Sequence, residues 1–381
     1  MQIKVLQIGL GEKEYSGVSN WLYEHYRKID HEVVHFDFLF CRENTMALKQ
    51  NTDVLAQSEI FPLNISQKVK NKFLQYMFFY VELSRFLKNH KYDVVHVNTG
   101  SFPLQTIAAI ISKKRHIKLH IAHSHSAHNK RSGKKQILLN LFAPLSRKII
   151  TKKSDELFAC SEVAGEYLFG KKAKYRLLPN GIDLERYKFN SNVRKEIRLV
   201  ENISDEKIIY CFVGRLAESK NLLFLVDVFS ELYKRNSNSI LWIIGDGEMH
   251  ESIEERVRNY NLGDFVKLWG ERNDVENLLQ AADAFIFTSF FEGLSMVAIE
   301  AQASGLPVFA SDSISPEHRV TDSIFFYPLD KSKESWADWI ETIMLKKECR
   351  EDTSEMIAEA GYDIERTAKW LEEFYLKKVV N

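Results

Sequence analysis

At 381 residues the chain is too long for one compact core and long enough for about two domains of ~150 residues each. Hydrophobic residues at 45% and charged residues at 27% are ordinary globular usage, which excludes wholesale disorder. Lys plus Arg and Asp plus Glu both total 52, which argues against a nucleic-acid binder, but the balance is a cancellation: residues 1–190 carry 30 basic and 17 acidic side chains, residues 191–381 carry 22 and 35.

The chain enters a buried-strand pattern at once, at 3–8, with no charged leader followed by an apolar stretch and a small-residue cleavage site. Apolar runs such as 76–81 and 284–287 fall far short of the ~20 residues that span a bilayer. Cys41, Cys160, Cys211 and Cys349 are scattered without C-x-x-C spacing, so no disulfide framework is expected, and Cys160 and Cys211 sit in apolar runs that suggest buried thiols. A cytoplasmic chain is the expectation.

After the first strand comes Gly9-Leu10-Gly11-Glu12-Lys13-Glu14-Tyr15-Ser16-Gly17, which begins like a dinucleotide fingerprint but has Glu14 where the third glycine belongs. A nicotinamide or flavin site is therefore not expected; the loop either brings amides to a phosphate or acceptor, or is a tight turn. Further strands are expected at 33–38, 94–97, 119–123 and 157–160, with helices between them. The fourth of these five strands runs into a histidine-rich stretch containing His116, His120, His123, His125 and His128. His123 and His125 share a strand face, but no Cys, Asp or Glu lies nearby, so a sugar hydroxyl suits them better than a metal; some of these histidines would be merely solvated. Pro179-Asn180-Gly181 punctuates the chain.

The alternation restarts with strands at 208–213, 239–244, 266–269, 284–288 and 307–310. Continuous apolar strands separated by helices predict parallel sheets covered on both faces, hence an α/β chain of two doubly wound domains. The expected division is 1–176, a linker 177–189, 190–360, and a terminal segment 361–381, whose amphipathic helix at 364–380 would bury Trp370, Leu371 and Phe374 and return to the first domain. Ligands in such folds bind beyond the carboxyl ends of the strands, and the default site is the cleft between two such domains.

Two motifs of the second half stand there. Gly214-Arg215 and Lys220 follow the strand at 208–213, where glycine permits close backbone approach and two cations suit a diphosphate leaving group. A solvated helix start with a Glu218 ion pair reads equally well. Glu292-Gly293-Leu294-Ser295 follows the strand at 284–288 and opens a helix whose first amides form an anion site, with Glu300 further along in an apolar segment. An unpaired carboxylate there would be costly, so a ligand is its natural partner.

Gly214-Arg215 with Lys220, Gly245-Asp246-Gly247, and Glu292 separated from Glu300 by seven intervening residues resemble the donor site of the family-4 retaining glycosyltransferases of GT-B fold. The resemblance spans nearly the whole chain and is strongest from 177 to 310; in the first half, Asp93-Val94-Val95-His96 and Ala122-His123-Ser124-His125-Ser126 are most like the subgroup that builds capsule or exopolysaccharide. It implies transfer of a hexose-type sugar from a nucleotide-diphosphate sugar, a UDP-sugar favoured, with no metal or other cofactor. Arg215 and Lys220 would neutralise the diphosphate, Glu292 would hold sugar hydroxyls, Glu300 the ribose, and His123 would face the reacting sugar. Gly17, Gly214, Gly245, Arg272, Gly293, Leu294 and Ser295 would complete the donor site, the loop at Arg272 meeting the base through its backbone. The first loop departs from the family in having Gly11-Glu12 where a Gly-Gly pair is common.

The implied acceptor is a saccharide or lipid-linked saccharide. Lys68, Lys70, Lys72, Lys113, Lys114, Arg115, Lys130, Arg131, Lys134 and Lys135, with the aromatic segment 73–86, form a basic, aromatic surface in the acceptor half that suits an anionic bilayer. An enzyme on the inner face of the cell membrane is the expectation. A non-catalytic GT-B subunit and a sugar-nucleotide epimerase are the alternatives.

Overall fold

The computed structural model describes residues 2–9, 17–40, 57–63, 71–125, 134–346 and 350–380, with the backbone alone for 17, 19, 20, 72 and 134–141. The chain forms two compact units, Met1–Ile182 with Gly361–Asn381, and Asp183–Ala360. The boundary after Ile182 falls inside the segment read as a linker.

The first unit runs β1 (Ile3–Gly9), α1 (Gly17–Lys28), β2 (Val34–Phe40), β3 (Ile60–Pro62), α2 (Lys72–Asn89), β4 (Val94–Asn98), α3 (Phe102–Lys114), β5 (Leu119–Ser124), α4 (Lys134–Lys153), β6 (Glu156–Ala159), α5 (Glu162–Phe169) and β7 (Arg176–Leu177). Its strands make one parallel sheet in the order β3-β2-β1-β4-β5-β6-β7. The second unit runs α6 (Leu184–Tyr187), α7 (Ser191–Val200), β8 (Ile208–Val213), α8 (Leu222–Arg235), β9 (Ser239–Ile244), α9 (His250–Asn259), β10 (Val266–Gly270), α10 (Val275–Ala281), β11 (Ala284–Phe287), α11 (Met296–Ala303), β12 (Val308–Ser311), β13 (Ile324–Tyr327), α12 (Lys333–Met344) and α13 (Ser354–Glu359). Its parallel sheet has the order β10-β9-β8-β11-β12-β13.

All ten strands expected from the sequence form. Central parallel strands are covered on both faces, so they are predominantly apolar; every residue of β9, β11 and β12 is buried. The unexpected strands β3, β7 and β13 are all sheet edges. Two of them are three and two residues long, and only a short 3-10 turn, Pro316–His318, separates β13 from β12, so the strand–helix alternation is missing there. In each sheet the winding reverses between the first strand and the fourth of the Rossmann order: between β1 and β4, and between β8 and β11. Those switch points open a crevice at the carboxyl ends of the strands.

The terminal helix α14 (Ile364–Val380) belongs to the first unit, where Ala368, Leu371, Phe374 and Tyr375 pack with Trp21, Tyr26, Phe36 and Phe158. Trp370, expected to be buried, is partly covered under the Arg176 guanidinium, 4.9 Å from its ring. The chain returns through Ile182 N–H to the Tyr362 carbonyl (2.7 Å) and Ile364 N–H to the Ile182 carbonyl (3.0 Å). Gly181 makes this possible, since a Cβ there would stand 2.7 Å from Ile364 Cα.

Cys160 and Cys211 are buried thiols; Cys41 and Cys349 lie outside the described residues. Among the described residues no helix is long and apolar enough to cross a membrane.

Candidate functional site

In the second unit three strand ends are drawn together by glycine. Gly214 N–H donates to the Ile244 carbonyl (2.9 Å) and Gly245 N–H to the Gly270 carbonyl (2.7 Å), so the chains leaving β8, β9 and β10 run almost in contact. Gly245 has φ +128°, and a Cβ on it would lie 2.0 Å from the Gly214 carbonyl oxygen. Gly245→Ala is therefore expected to cost roughly 2–4 kcal/mol in denaturant unfolding, from strain and displacement of the β8 loop together. A loss below about 1 kcal/mol would mean that this approach is loose.

Across the switch point, the loops after β8 and β11 are tied by backbone. Thr288 Oγ1 donates to the carbonyls of Lys220 (3.3 Å) and Asn221 (3.1 Å), and Phe290 N–H to that of Ser219 (2.9 Å). The tie brings Lys220 Nζ onto Glu292 Oε1 as an ion pair, each side chain only 14% exposed. Ser289 Oγ also donates to Glu292 Oε1 (3.3 Å), and the Lys220 ammonium lies 5.5 Å from the Phe287 ring centroid. The residues expected to serve two ends of a donor thus hold each other. Arg215 stands apart, paired with Glu248 at 2.9 Å with both side chains more than half exposed. Arg272, expected at the donor base, grips Asp274 with two bonds of 2.7 and 2.6 Å beside the Trp269 ring. Its side chain is engaged, leaving the loop backbone.

At the start of α11, Ser295 N–H donates to His318 Nε2 (2.9 Å), whose Nδ1–H donates to the Ser315 carbonyl (2.8 Å). One amide of the expected anion site is thereby taken, whereas the N–H groups of Gly293 and Leu294 have no acceptor among the described residues. Glu300, one helix face along, meets the Tyr187 hydroxyl of α6, not a bare apolar wall. Burial pushes its carboxyl up to about 7, partly offset by that hydroxyl and by Arg186, which is itself held by Glu276 at 2.7 Å. Burial and the Glu300 charge together drive the Tyr187 hydroxyl well above its ordinary value. The protein thus supplies the partner expected from a ligand.

The first unit carries a buried polar network at its own switch point. Asn98 Nδ2 donates to the His96 carbonyl (3.3 Å), which orients the amide, and to Gln7 Oε1 (2.8 Å). Gln7 Nε2 consequently donates to the Tyr375 hydroxyl (3.3 Å), whose single proton goes to His96 Nδ1 (2.7 Å). His96 Nε2–H then donates to His123 Nδ1 (3.2 Å). Reversing the sequence would leave the buried tyrosine proton without an acceptor. Burial holds His96 and His123 well below the ordinary histidine value, so both rings are neutral.

His123 is therefore not the sugar-facing side chain that was expected. It lies on a central strand, fully buried, stacked 5.3 Å from His96 and edge-on to Trp21 (5.0 Å) and Phe158 (5.8 Å). His120 is buried as well, its Nδ1 3.0 Å from Ser112 Oγ, so these two are core histidines and not solvated ones. His125, just past the strand, is the partly exposed imidazole, with Nε2 on Asn98 Oδ1 (3.1 Å) and Nδ1 beside the Asn180 side chain (3.2 Å). Among the described residues no three His, Cys, Asp or Glu side chains could hold a metal ion together. Gly17 opens α1; the loop before it, His128, and the lysines and arginine at 68, 70, 130 and 131 lie outside the described residues.

Tyr187, Glu248 and His318 were missed in the sequence. Their partners lie far along the chain, Glu300 113 residues from Tyr187, Arg215 33 from Glu248 and Ser295 23 from His318, so no local spacing betrays them, although a tyrosine beside Arg186 at the end of the linker was a weak signal.

Two doubly wound parallel sheets in one chain, each with a switch-point crevice, are the architecture expected of the GT-B class. HepE of Anabaena, solved in complex with UDP, superposes with a TM-score of 0.74 over 98% of this chain and 100% of its own, at 15% identity. Residues 193–362 match the family described as glycosyl transferases group 1, and residues 16–186 match glycosyltransferase family 4. EpsF of Bacillus subtilis (strain 168), which bears a glycosyltransferase name, is 30% identical over 385 residues, covering 98% of this chain and 96% of its own. The chain belongs to glycosyltransferase family 4. The UDP-Gal:alpha-D-GlcNAc-diphosphoundecaprenol alpha-1,3-galactosyltransferase of Escherichia coli is 29% identical over 241 residues, 61% of each chain. The protein is an enzyme that transfers sugar.

Proposed function

We propose that the enzyme moves a hexose-type sugar, with retention of anomeric configuration, from a nucleotide-diphosphate sugar to a saccharide or lipid-linked saccharide at the inner face of the cell membrane. The Lys220–Glu292 pair at the β8/β11 switch point carries this reading. An arriving diphosphate competes for the Lys220 ammonium and frees Glu292 to accept hydrogen bonds from sugar hydroxyls, so one ion pair becomes two ligand contacts. Lys220, with Arg215 able to swing from its exposed pair, then meets the charge that develops on the leaving diphosphate, in place of a metal. The Gly293 and Leu294 amides add dipoles of the same sign, and Glu300 accepts from the ribose hydroxyls. A UDP-sugar is favoured, in keeping with the UDP held by HepE and the UDP-galactose named for the E. coli relative.

A panel of nucleotide diphosphates and their hexose conjugates, read by thermal unfolding, tests the donor. A ligand at 100 times its Kd stabilises by about 2.7 kcal/mol, which raises Tm by roughly 5–10 °C in a unit of this size. UDP and a UDP-hexose should produce the shift, and NMR of the product should show the donor's anomeric configuration. No shift with any nucleotide diphosphate would sink the assignment, and an inverted product would sink the retaining step.

A further inference from the structure

Just past β5, the two ring nitrogens of His125 rest on two asparagines of unequal standing. Nε2 lies 3.1 Å from Asn98 Oδ1, and Nδ1 lies 3.2 Å from the Asn180 side chain. Asn98 is 1% exposed, and both hydrogens of its Nδ2 are spent, on Gln7 Oε1 (2.8 Å) and on the His96 carbonyl (3.3 Å). A main-chain carbonyl can only accept, so this amide has one orientation. Gln7, itself buried, is braced in turn by its bond to the Tyr375 hydroxyl (3.3 Å). Asn98 therefore shows His125 an oxygen with no hydrogen to give, and His125 must carry a proton on Nε2.

Burial holds the His125 ring down at about 3, with the Asn180 contact offsetting part of the drop and His25 adding to it. At neutral pH the ring thus has one proton, and Nδ1 keeps its lone pair. Trp21 and His123, with ring centroids 5.1 and 3.9 Å away, pack against the imidazole and hold its plane. Asn180 is unlike Asn98. It is partly exposed, and its side chain has no other hydrogen bond among the described residues. With the lone pair on Nδ1, the Asn180 amide serves it through Nδ2–H and can give way to a ligand.

We propose that Asn98, braced by Gln7, is a positioning residue that fixes His125 as the Nε2–H tautomer, so that Nδ1 accepts a hydrogen bond from a saccharide hydroxyl. A hydroxyl suits this place because it donates to Nδ1 while its oxygen accepts from the Asn180 amide. A carboxylate, which only accepts, does not. The other tautomer would set a bare Nε2 lone pair against the Asn98 oxygen, leaving two buried acceptors without a donor. The proposal deepens the reading that the enzyme binds saccharides and rests on it for the ligand, though not for the tautomer.

The test is nitrogen NMR of the full chain labelled at histidine, with the His125 signals assigned by their loss in His125→Gln. At neutral pH the wild type should show a pyrrole-like Nε2 and a pyridine-like Nδ1. UDP-glucose, UDP-galactose or the methyl α-glycosides of the same two sugars, added to separate samples, should shift the Nδ1 resonance, and UDP alone should not. A response to the UDP-sugars assigns the hydroxyl to the donor hexose, and a response to the glycosides assigns it to an acceptor. Asn98→Leu alone strands Gln7 in the core, so the informative variant is Gln7→Leu/Asn98→Leu, which removes both partners and keeps the Tyr375–His96 bond. There His125 should move its proton to Nδ1, lose the sugar response and retain the thermal shift with UDP. Tyr375→Phe disturbs the same core but leaves both acceptors of Asn98 in place, so it should keep the wild-type His125 signature. The proposal is overturned by an Nδ1–H or doubly protonated His125 in the wild type, or by a wild-type signature in the double variant. A proton moved to Nδ1 in Tyr375→Phe as well would make the tautomer a matter of general packing and overturn it too. So would an Nδ1 resonance that no sugar moves in protein that UDP stabilises. An intact Nε2–H signature without any UDP stabilisation would instead count against the donor reading and uphold the role of Asn98.

Discussion

Replacing Glu300 by glutamine is expected to stabilise the ligand-free protein at pH 8 and to weaken its hold on nucleotide. The Glu300 carboxyl is pushed by burial from an ordinary 4.5 up to about 7. Between those values the folded protein binds more protons than the unfolded chain, so stability falls as pH rises through that window, and the full penalty is present above about pH 7. A displacement of that size corresponds to at most about 3 kcal/mol; partial exposure leaves roughly 1–3 kcal/mol for Glu300→Gln to recover at pH 8, and almost none at pH 4. Glutamine can still accept from the Tyr187 hydroxyl. It cannot offer ribose hydroxyls a charged acceptor, so UDP affinity should drop about 10–100-fold. Wild-type affinity should itself decline below about pH 7 as the carboxyl protonates. Chemical denaturation at pH 4 and 8, with calorimetric UDP titration, checks both halves. A destabilised variant at pH 8, or one that binds UDP as tightly as the wild type, would remove Glu300 from the site.

Lys220→Met should lower kcat/KM by roughly 10²–10³-fold, the usual cost of deleting one donor aimed at developing charge. It also strands the Glu292 carboxylate, which is mostly buried, so the single variant should lose about 1–3 kcal/mol of stability. The double variant Lys220→Met/Glu292→Gln separates the two effects. With both charges gone, most of the stability should return while turnover stays at least ~100-fold down. Recovery of turnover with stability would show that the pair serves only to hold the two loops together.

The same residues mark the limits of sequence reading. Strand-end positions such as Gly214, Lys220 and Glu292 were legible because a doubly wound sheet places its ligand sites immediately after its strands, and the strands announce themselves by being apolar throughout. What those residues touch was not legible. Glu292 was expected on sugar hydroxyls and is held by Lys220, 72 residues earlier; Glu300 was expected to await a ligand and has Tyr187. His123 shows the limit best. A histidine at a strand end suggests a polar surface, yet the chain of amides and hydroxyls from Asn98 through Gln7, Tyr375 and His96 satisfies one face of its ring inside the core.

By itself the amino-acid sequence determined the two parallel α/β sheets, their boundary near Gly181, the terminal helix at 364–380 and the opposite charges of the two halves. Those follow from periodicity and composition, which are local quantities. The tertiary structure alone decided that α14 sets Tyr375 against His96 at the first sheet's switch point, that Lys220 closes on Glu292, and that α2 turns a second apolar side outward. Each depends on which groups distant in the chain are brought within a few ångströms, and hydrogen bonds and ion pairs act only over that range.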